Sequence, residues 1–213
     1  MFPKPILDLA ELLSKLPGIG PRQASRLAFF ILRESKGYAS ALTSAIKNVT
    51  ERVRPCVQCF RSMDANGNGK DGICDICKDP KRDQQSVCIV EKEIDIPNIE
   101  KTKVFHGTYH VLGGGISLLE KDSPERARVE DLYRRVEKLA VDVSPLEIII
   151  ATSPTTEGDA TALYLERTLE PLAKKSSGVS ISRLGRGLSM GAEVEYADEV
   201  TLEEALKHRT KSV

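Results

Sequence analysis

The chain has no tryptophan and only five phenylalanines and five tyrosines among 213 residues, which excludes a core built on large aromatic anchors and points to aliphatic packing. Also absent is any uninterrupted apolar run near the roughly 18 residues a membrane-spanning helix needs. The opening Met1-Phe2-Pro3-Lys4-Pro5 lacks a basic stretch followed by a long apolar core, so no export signal is expected and a cytoplasmic location is. There is no internal repeat and no low-complexity tail. Three histidines, His106, His110 and His208, do not cluster in sequence, and His110 reads as a structural histidine within a strand. Gly113-Gly114-Gly115 lacks the Lys-Ser/Thr ending of a phosphate loop and reads as a turn.

Against these absences stand five cysteines, four of them spaced as Cys56-x-x-Cys59 and Cys74-x-x-Cys77. Each pair lets two sulfurs reach one ion from a tight turn, and two pairs fill a tetrahedral shell with no position left for water. The pattern predicts one structural zinc per chain. Disulfides are the alternative, disfavoured in a reducing compartment. Between the pairs, residues 64–72 are turn formers and are expected to form a polar loop. Cys88 lies in the apolar run Val87-Cys88-Ile89-Val90 and is expected to pack as a small hydrophobe.

Formal net charge is zero but unevenly spread: residues 1–55 hold nine Lys/Arg against four Asp/Glu, and residues 91–213 hold seventeen against twenty-two. A basic amino-terminal part suits phosphate, and an acidic carboxy-terminal part suits a basic partner. The basic part contains a motif. Apolar spacing predicts helices over 5–16, 21–34 and 38–52, the first two joined through Leu16-Pro17-Gly18-Ile19-Gly20. The glycines permit a tight turn with outward amides, Ile19 plugs the helix interface, and Pro21 suits a first helical position. Outward amides at a helix start complement a phosphate without reading a base, and Arg22 and Arg26, four apart, add charge along the backbone.

From residue 87 the pattern becomes strands alternating with helices: strands at 87–90, 109–112, 146–151 and 179–182, and helices near 124–139, 158–172 and 202–208. Such alternation predicts a mostly parallel sheet covered by helices, with ligands beyond the carboxyl ends of the strands, at Glu91 and residues 152–158. Lys174-Lys175 reads as the charged carboxyl end of a helix.

Pro17-Gly18-Ile19-Gly20 resembles the hairpin of helix-hairpin-helix modules in DNA repair proteins, which implies sequence-independent DNA binding. The later part resembles the Toprim fold of topoisomerases and primases, where a Glu ends one strand and an Asp-x-Asp ends a later one to gather magnesium. Glu91 matches the Glu, but Ser153 and Thr155 stand where the two Asp residues belong. Hydroxyls are poor ligands for so hard a cation, so nuclease and strand-passing chemistry are not expected. The competing expectation is a magnesium-dependent Toprim nuclease or primase holding its ion with Glu91, Glu157 and Asp159. A third is a zinc-stabilised adaptor without DNA contact.

Hairpin, four-cysteine knuckle and Toprim domain, in that order, resemble the RecR family of recombination mediators over essentially the whole chain. Tyr109-His110-Val111-Leu112-Gly113-Gly114, Pro154-Thr155-Thr156-Glu157-Gly158 and Glu195-Tyr196-Ala197-Asp198-Glu199-Val200 are similar to segments typical of that family. Ser153 departs from the usual Asn, Ser189 from the usual Pro, and the 66–72 loop is enlarged. The resemblance implies an α+β multidomain chain: a helix-hairpin-helix module at 1–54, a four-cysteine zinc finger at 55–85, a Toprim-like α/β domain with a mostly parallel sheet at 86–183, and a carboxy-terminal segment with a helix at 184–213, expected to oligomerise. It further implies a non-catalytic tetrameric clamp on DNA that works with RecO and RecF to help RecA replace single-strand binding protein. DNA contacts are then expected at Pro17, Gly18, Ile19, Gly20, Arg22 and Arg26, and partner contacts at Glu91 and Glu157.

Overall fold

The computed structural model describes residues 2–66, 71–116 and 128–210. The chain divides into two compact units, Met1–Val53 and Arg54–Val213. No described helix is long and apolar enough to cross a membrane.

The first unit is helical: α1 (Lys4–Ser14), α2 (Pro21–Arg33) and α3 (Lys36–Arg52). The expected helix over 5–16 ends short of Leu16 because the residue before Pro17 is driven away from helical geometry. Ala24 and Ala28, one turn apart on α2, are fully buried, and their small side chains let α1 and α2 approach closely. Ring pairs hold the margins, Phe2 against Phe29 at 5.0 Å and Phe30 against Tyr38 at 5.9 Å. Ser35 caps α3 by accepting from the Tyr38 amide at 3.2 Å. α3 itself buries no residue.

After α3, β1 (Val53–Pro55) and β2 (Ser62–Asp64) form a two-stranded ribbon, followed by the single turn α4 (Asp75–Lys78). The remaining strands, β3 (Ser86–Val90), β4 (Thr108–Val111), β5 (Leu146–Ala151) and β6 (Val179–Arg183), make one sheet of order β4-β3-β5-β6. Every pairing is parallel, with Cys88 opposite both Tyr109 and Ile149. The helices are α5 (Ile96–Lys101), α6 (Val129–Asp142), α7 (Thr156–Lys175) and α8 (Glu199–Lys207). The helix expected near 124–139 thus begins, among the described residues, at Val129; its first part, like part of the 64–72 loop, lies outside them.

Strand side chains alternate faces, and the two faces bury different partners. Val87 and Ile89, with Ile148 and Ile150, pack against Leu132 and Val136 of α6 and Leu165 and Leu169 of α7. Cys88 and Val90, with Tyr109 and Val111, pack against the knuckle cysteines and Ile96 of α5. Burial pushes the Cys88 thiol up to about 12, as expected of an inert small hydrophobe. An internal network seats α5: Arg82 grips Glu100 with both guanidinium nitrogens, and the Tyr109 hydroxyl donates to the same carboxylate.

Candidate nucleic-acid interface, metal centre and sheet-end carboxylates

The α1–α2 connection is built as its residues dictate. The Ile19 amide donates to the Leu16 carbonyl at 3.0 Å across Pro17-Gly18, and Gly18 has φ +78, the pattern of a type II turn with Pro first and Gly second. Gly20 is extended and Pro21 occupies the first turn of α2, whose start has no side-chain cap. Arg22 and Arg26 are exposed along α2, and Ile19 is half-buried between the helices. The motif therefore exposes amides and two guanidiniums together within one helical unit.

Four sulfurs converge in the second unit. The Sγ atoms of Cys56, Cys59, Cys74 and Cys77 all lie within 4.8 Å of one another, and the first three residues are buried. All five cysteines are free; Cys59 and Cys74 stand 3.5 Å apart, well beyond a bonded pair. Backbone bonds shape each turn: the Phe60 amide donates to the Cys56 carbonyl at 2.9 Å, and the Lys78 amide to that of Cys74 at 3.0 Å. The Cys74 amide donates to the Cys56 sulfur at 3.3 Å, binding one knuckle to the other. Donation from Cys59, then Cys77, drives the Cys74 thiol far below its ordinary range, and the same bond to Cys74 drives Cys59 far above. Negative charge is thus favoured on the Cys74 sulfur and disfavoured on those of Cys59 and Cys77, so a thiophilic cation held by the quartet would displace protons as it binds. Among the described residues it is the one group of three or more His, Cys, Asp or Glu placed to hold an ion.

Phe60, just past the first knuckle, has φ 63, a conformation that strains a residue bearing a side chain. Its ring offsets the strain by packing edge-on to His110 at 5.4 Å and under the Arg128 guanidinium at 4.8 Å. Arg128 also donates to the carbonyls of Phe60 and Val111, at 3.3 and 3.5 Å, and Arg135 donates to the carbonyl of Tyr109. Knuckle and arginines together cover the outer edge of β4, which would otherwise be an open sheet edge. His110, opposite Ile89 in the ladder, lies on the face turned away from the cysteines, and the Phe60 ring reaches it around this edge.

At the carboxyl ends of the strands, Glu91 follows β3 and is 7% exposed. Its carbonyl accepts from the Gly113 amide at 3.0 Å. Gly158, in the first turn of α7, sits so close that a Cβ there would collide with the Ser153 carbonyl and lie 3.1 Å from the Glu91 carboxylate. Glu157 is exposed and lies over Gly115, where a Cβ would come within 2.9 Å of its oxygen. The two residues standing at the Asp-x-Asp positions are otherwise engaged or open: the Thr155 hydroxyl caps α7 by accepting from the Gly158 amide, and Ser153 is exposed at the sheet's end. Asp159 gives both carboxylate oxygens to Arg186, which holds its pKa below the usual range. Sequence reasoning missed Arg186. Its only signal was a lone cation between Gly185 and Gly187, 27 residues away from the carboxylate it meets.

Comparison with known proteins follows the same divisions. Residues 6–50 match the family described as RecR, helix-hairpin-helix; residues 85–185 match the Toprim domain; residues 187–210 match RecR, C-terminal. The chain is similar to the recombination protein RecR of Myxococcus xanthus strain DK1622, 43% identical over 209 residues that cover 98% of each chain. It is 41% identical to that of Mycobacterium avium strain 104 over 213 residues, the whole of both. With the protein of that name from Cutibacterium acnes it shares 41% identity over 209 residues, 98% of this chain and 96% of the other.

Proposed function

The chain belongs to the RecR family of recombination proteins, and on that premise we propose that it acts in recombinational DNA repair as a non-catalytic, DNA-binding mediator. One observation carries the reading: the uncapped, proline-started α2 projects Arg22 and Arg26 from a Pro17-Gly18-Ile19-Gly20 turn. Amides and guanidiniums so placed neutralise phosphate oxygens and meet no base edge, so binding is indifferent to sequence and steeply salt-dependent. Chemistry on DNA would need anionic oxygens around a divalent ion. Thr155 as a helix cap and Asp159 paired with Arg186 leave Glu91 and Glu157 with too few partners, which supports partner binding over catalysis at this end of the sheet.

In this reading zinc, one per chain, is held by Cys56, Cys59, Cys74 and Cys77 and is purely structural, since four sulfurs close the shell. Glu91 and Glu157 face RecO or RecF, and the chain helps RecA displace single-strand binding protein. The working form is a homotetrameric ring in the bacterial cytoplasm, at the nucleoid, and hairpins from several subunits multiply weak phosphate contacts.

The test is a salt titration of DNA binding. Arg22→Ala and Arg26→Ala each weaken binding to every sequence alike and lower the slope of log affinity against log salt by about 1. Unchanged affinity and slope in both variants would reject the hairpin as the DNA contact. DNA cleavage or extension with magnesium, abolished by Glu91→Gln, would reject the non-catalytic assignment.

A further inference from the structure

We propose that the four-cysteine knuckle fixes the position of Glu91, so that metal occupancy and the carboxyl end of β3 are coupled through backbone bonds and ion pairs rather than through the sulfurs themselves. Three links carry it. The carbonyl of Cys59, a ligand residue, accepts from the Val111 amide at 2.8 Å, so the ion's own shell sets the outer edge of β4. Continuing along the chain, the Leu112 amide donates to Val90 at 2.9 Å and the Gly113 amide to Glu91 at 3.0 Å, which passes that placement to the end of β3. On the other side of Glu91, the Glu93 carboxylate accepts from the Ser62 amide at 3.0 Å and lies 3.9 Å from Arg61, which also pairs with Asp75, the neighbour of ligand Cys74. Glu91 is therefore bracketed by two segments, 111–113 and 93, each tied to a different part of the knuckle.

The knuckle has little regular structure to hold its shape. Its regular structure is two three-residue strands and one four-residue helix, too short to stand alone. Such a module takes its order from the ion. Coupling of this kind is reciprocal: whatever loosens the links also loosens the metal. Its consequence, that metal loss disables partner binding at Glu91, rests on the reading of Glu91 given above, whereas the coupling does not.

Hydrogen exchange read by mass spectrometry, on the full chain with its metal content measured, tests this. Stripping the ion with a chelator speeds exchange at residues 111–113 and 90–93 by about tenfold, the upper worth of one amide–carbonyl hydrogen bond. Residues 148–150 of β5 stay protected. Glu93→Ala retains the metal but surrenders it to a chromogenic chelator about tenfold faster, and stripping then adds less at 90–93. Unchanged protection at 111–113 after stripping overturns the coupling, as does a Glu93→Ala chain that releases metal at the parent rate. If stripping unfolds the whole chain, the Glu93→Ala release rate alone decides. A chain that binds no ion sinks the metal assignment instead, which is a separate failure.

Discussion

His110 has no exposed surface, and burial, then the guanidiniums of Arg135 and Arg128, hold its pKa down to about 3. The unfolded chain, with an ordinary value near 6.5, takes up a proton that the fold refuses, so stability is fully present above about pH 6.5 and falls as pH drops toward 3. Between pH 6.5 and 5 this one residue contributes a slope approaching about 1.4 kcal/mol per pH unit. His110→Gln flattens that slope in denaturant titrations; an unaltered slope would mean the imidazole is not the group responsible. The cysteine quartet makes a different demand. Cys74→Ser removes one of the four converging sulfurs, from the residue whose amide binds the other knuckle, so the chain loses one equivalent of metal and unfolds at lower denaturant. Metal analysis beside the melt checks it, and a stable metal-free variant would remove Cys74 from the ligand set.

At the scale of elements, the start of α7 carries the most consequence, because it meets Glu91. Thr155→Ala strips the cap from the Gly158 amide and costs about 1 kcal/mol. Gly158→Ala costs more, since its methyl would collide with the Ser153 carbonyl and the helix must retreat from the sheet. Thermal denaturation ranks the two, and equal losses would show that the close approach is not tight in solution. How far such features were legible follows from their range. The three amino-terminal helices, the strands and α7 declared themselves through local periodicity, and the paired Cys-x-x-Cys spacing announced the quartet. The ribbon β1–β2, α4 and α5 left no such trace: they are three to six residues long and take their shape from the knuckle and from the Arg82–Glu100–Tyr109 network. Nor could sequence find Asp159 meeting Arg186, or Cys59 meeting Val111, because each pair is brought together only by sheet order. For the same reason the spacing placed Glu91 at a strand end but said nothing of the two segments that pin it.

For the whole molecule, the question is what covers the apolar surface each unit leaves open. On α3, Leu42, Ile46 and Val49 fall on one helical face, and Ile46 and Val49 are 59% and 62% exposed. In the carboxy-terminal segment Val194, Tyr196, Val200 and Leu206 are also exposed, the last two on a short helix that buries none of its residues. In the proposed ring each of these two apolar surfaces, one on each unit, would cover a neighbouring copy, and closed rings are what such pairs of contacts build. The expected native mass is therefore a multiple of 23.4 kDa, with four copies anticipated. Ile46→Glu buries a charge in one class of contact and reduces the assembly to a smaller one, while Val200→Glu does the same through the other. Assembly and DNA binding are then linked by arithmetic, because each copy supplies its own hairpin and the contacts add in one binding event. Halving the number of copies halves the phosphates neutralised and so halves the slope of log affinity against log salt, with Arg22 and Arg26 intact. Native mass spectrometry and the salt titration on the same preparations decide it. An Ile46→Glu chain of parental mass clears α3 of any part in assembly, and a smaller assembly with the parental slope would mean that one copy alone makes all the DNA contacts.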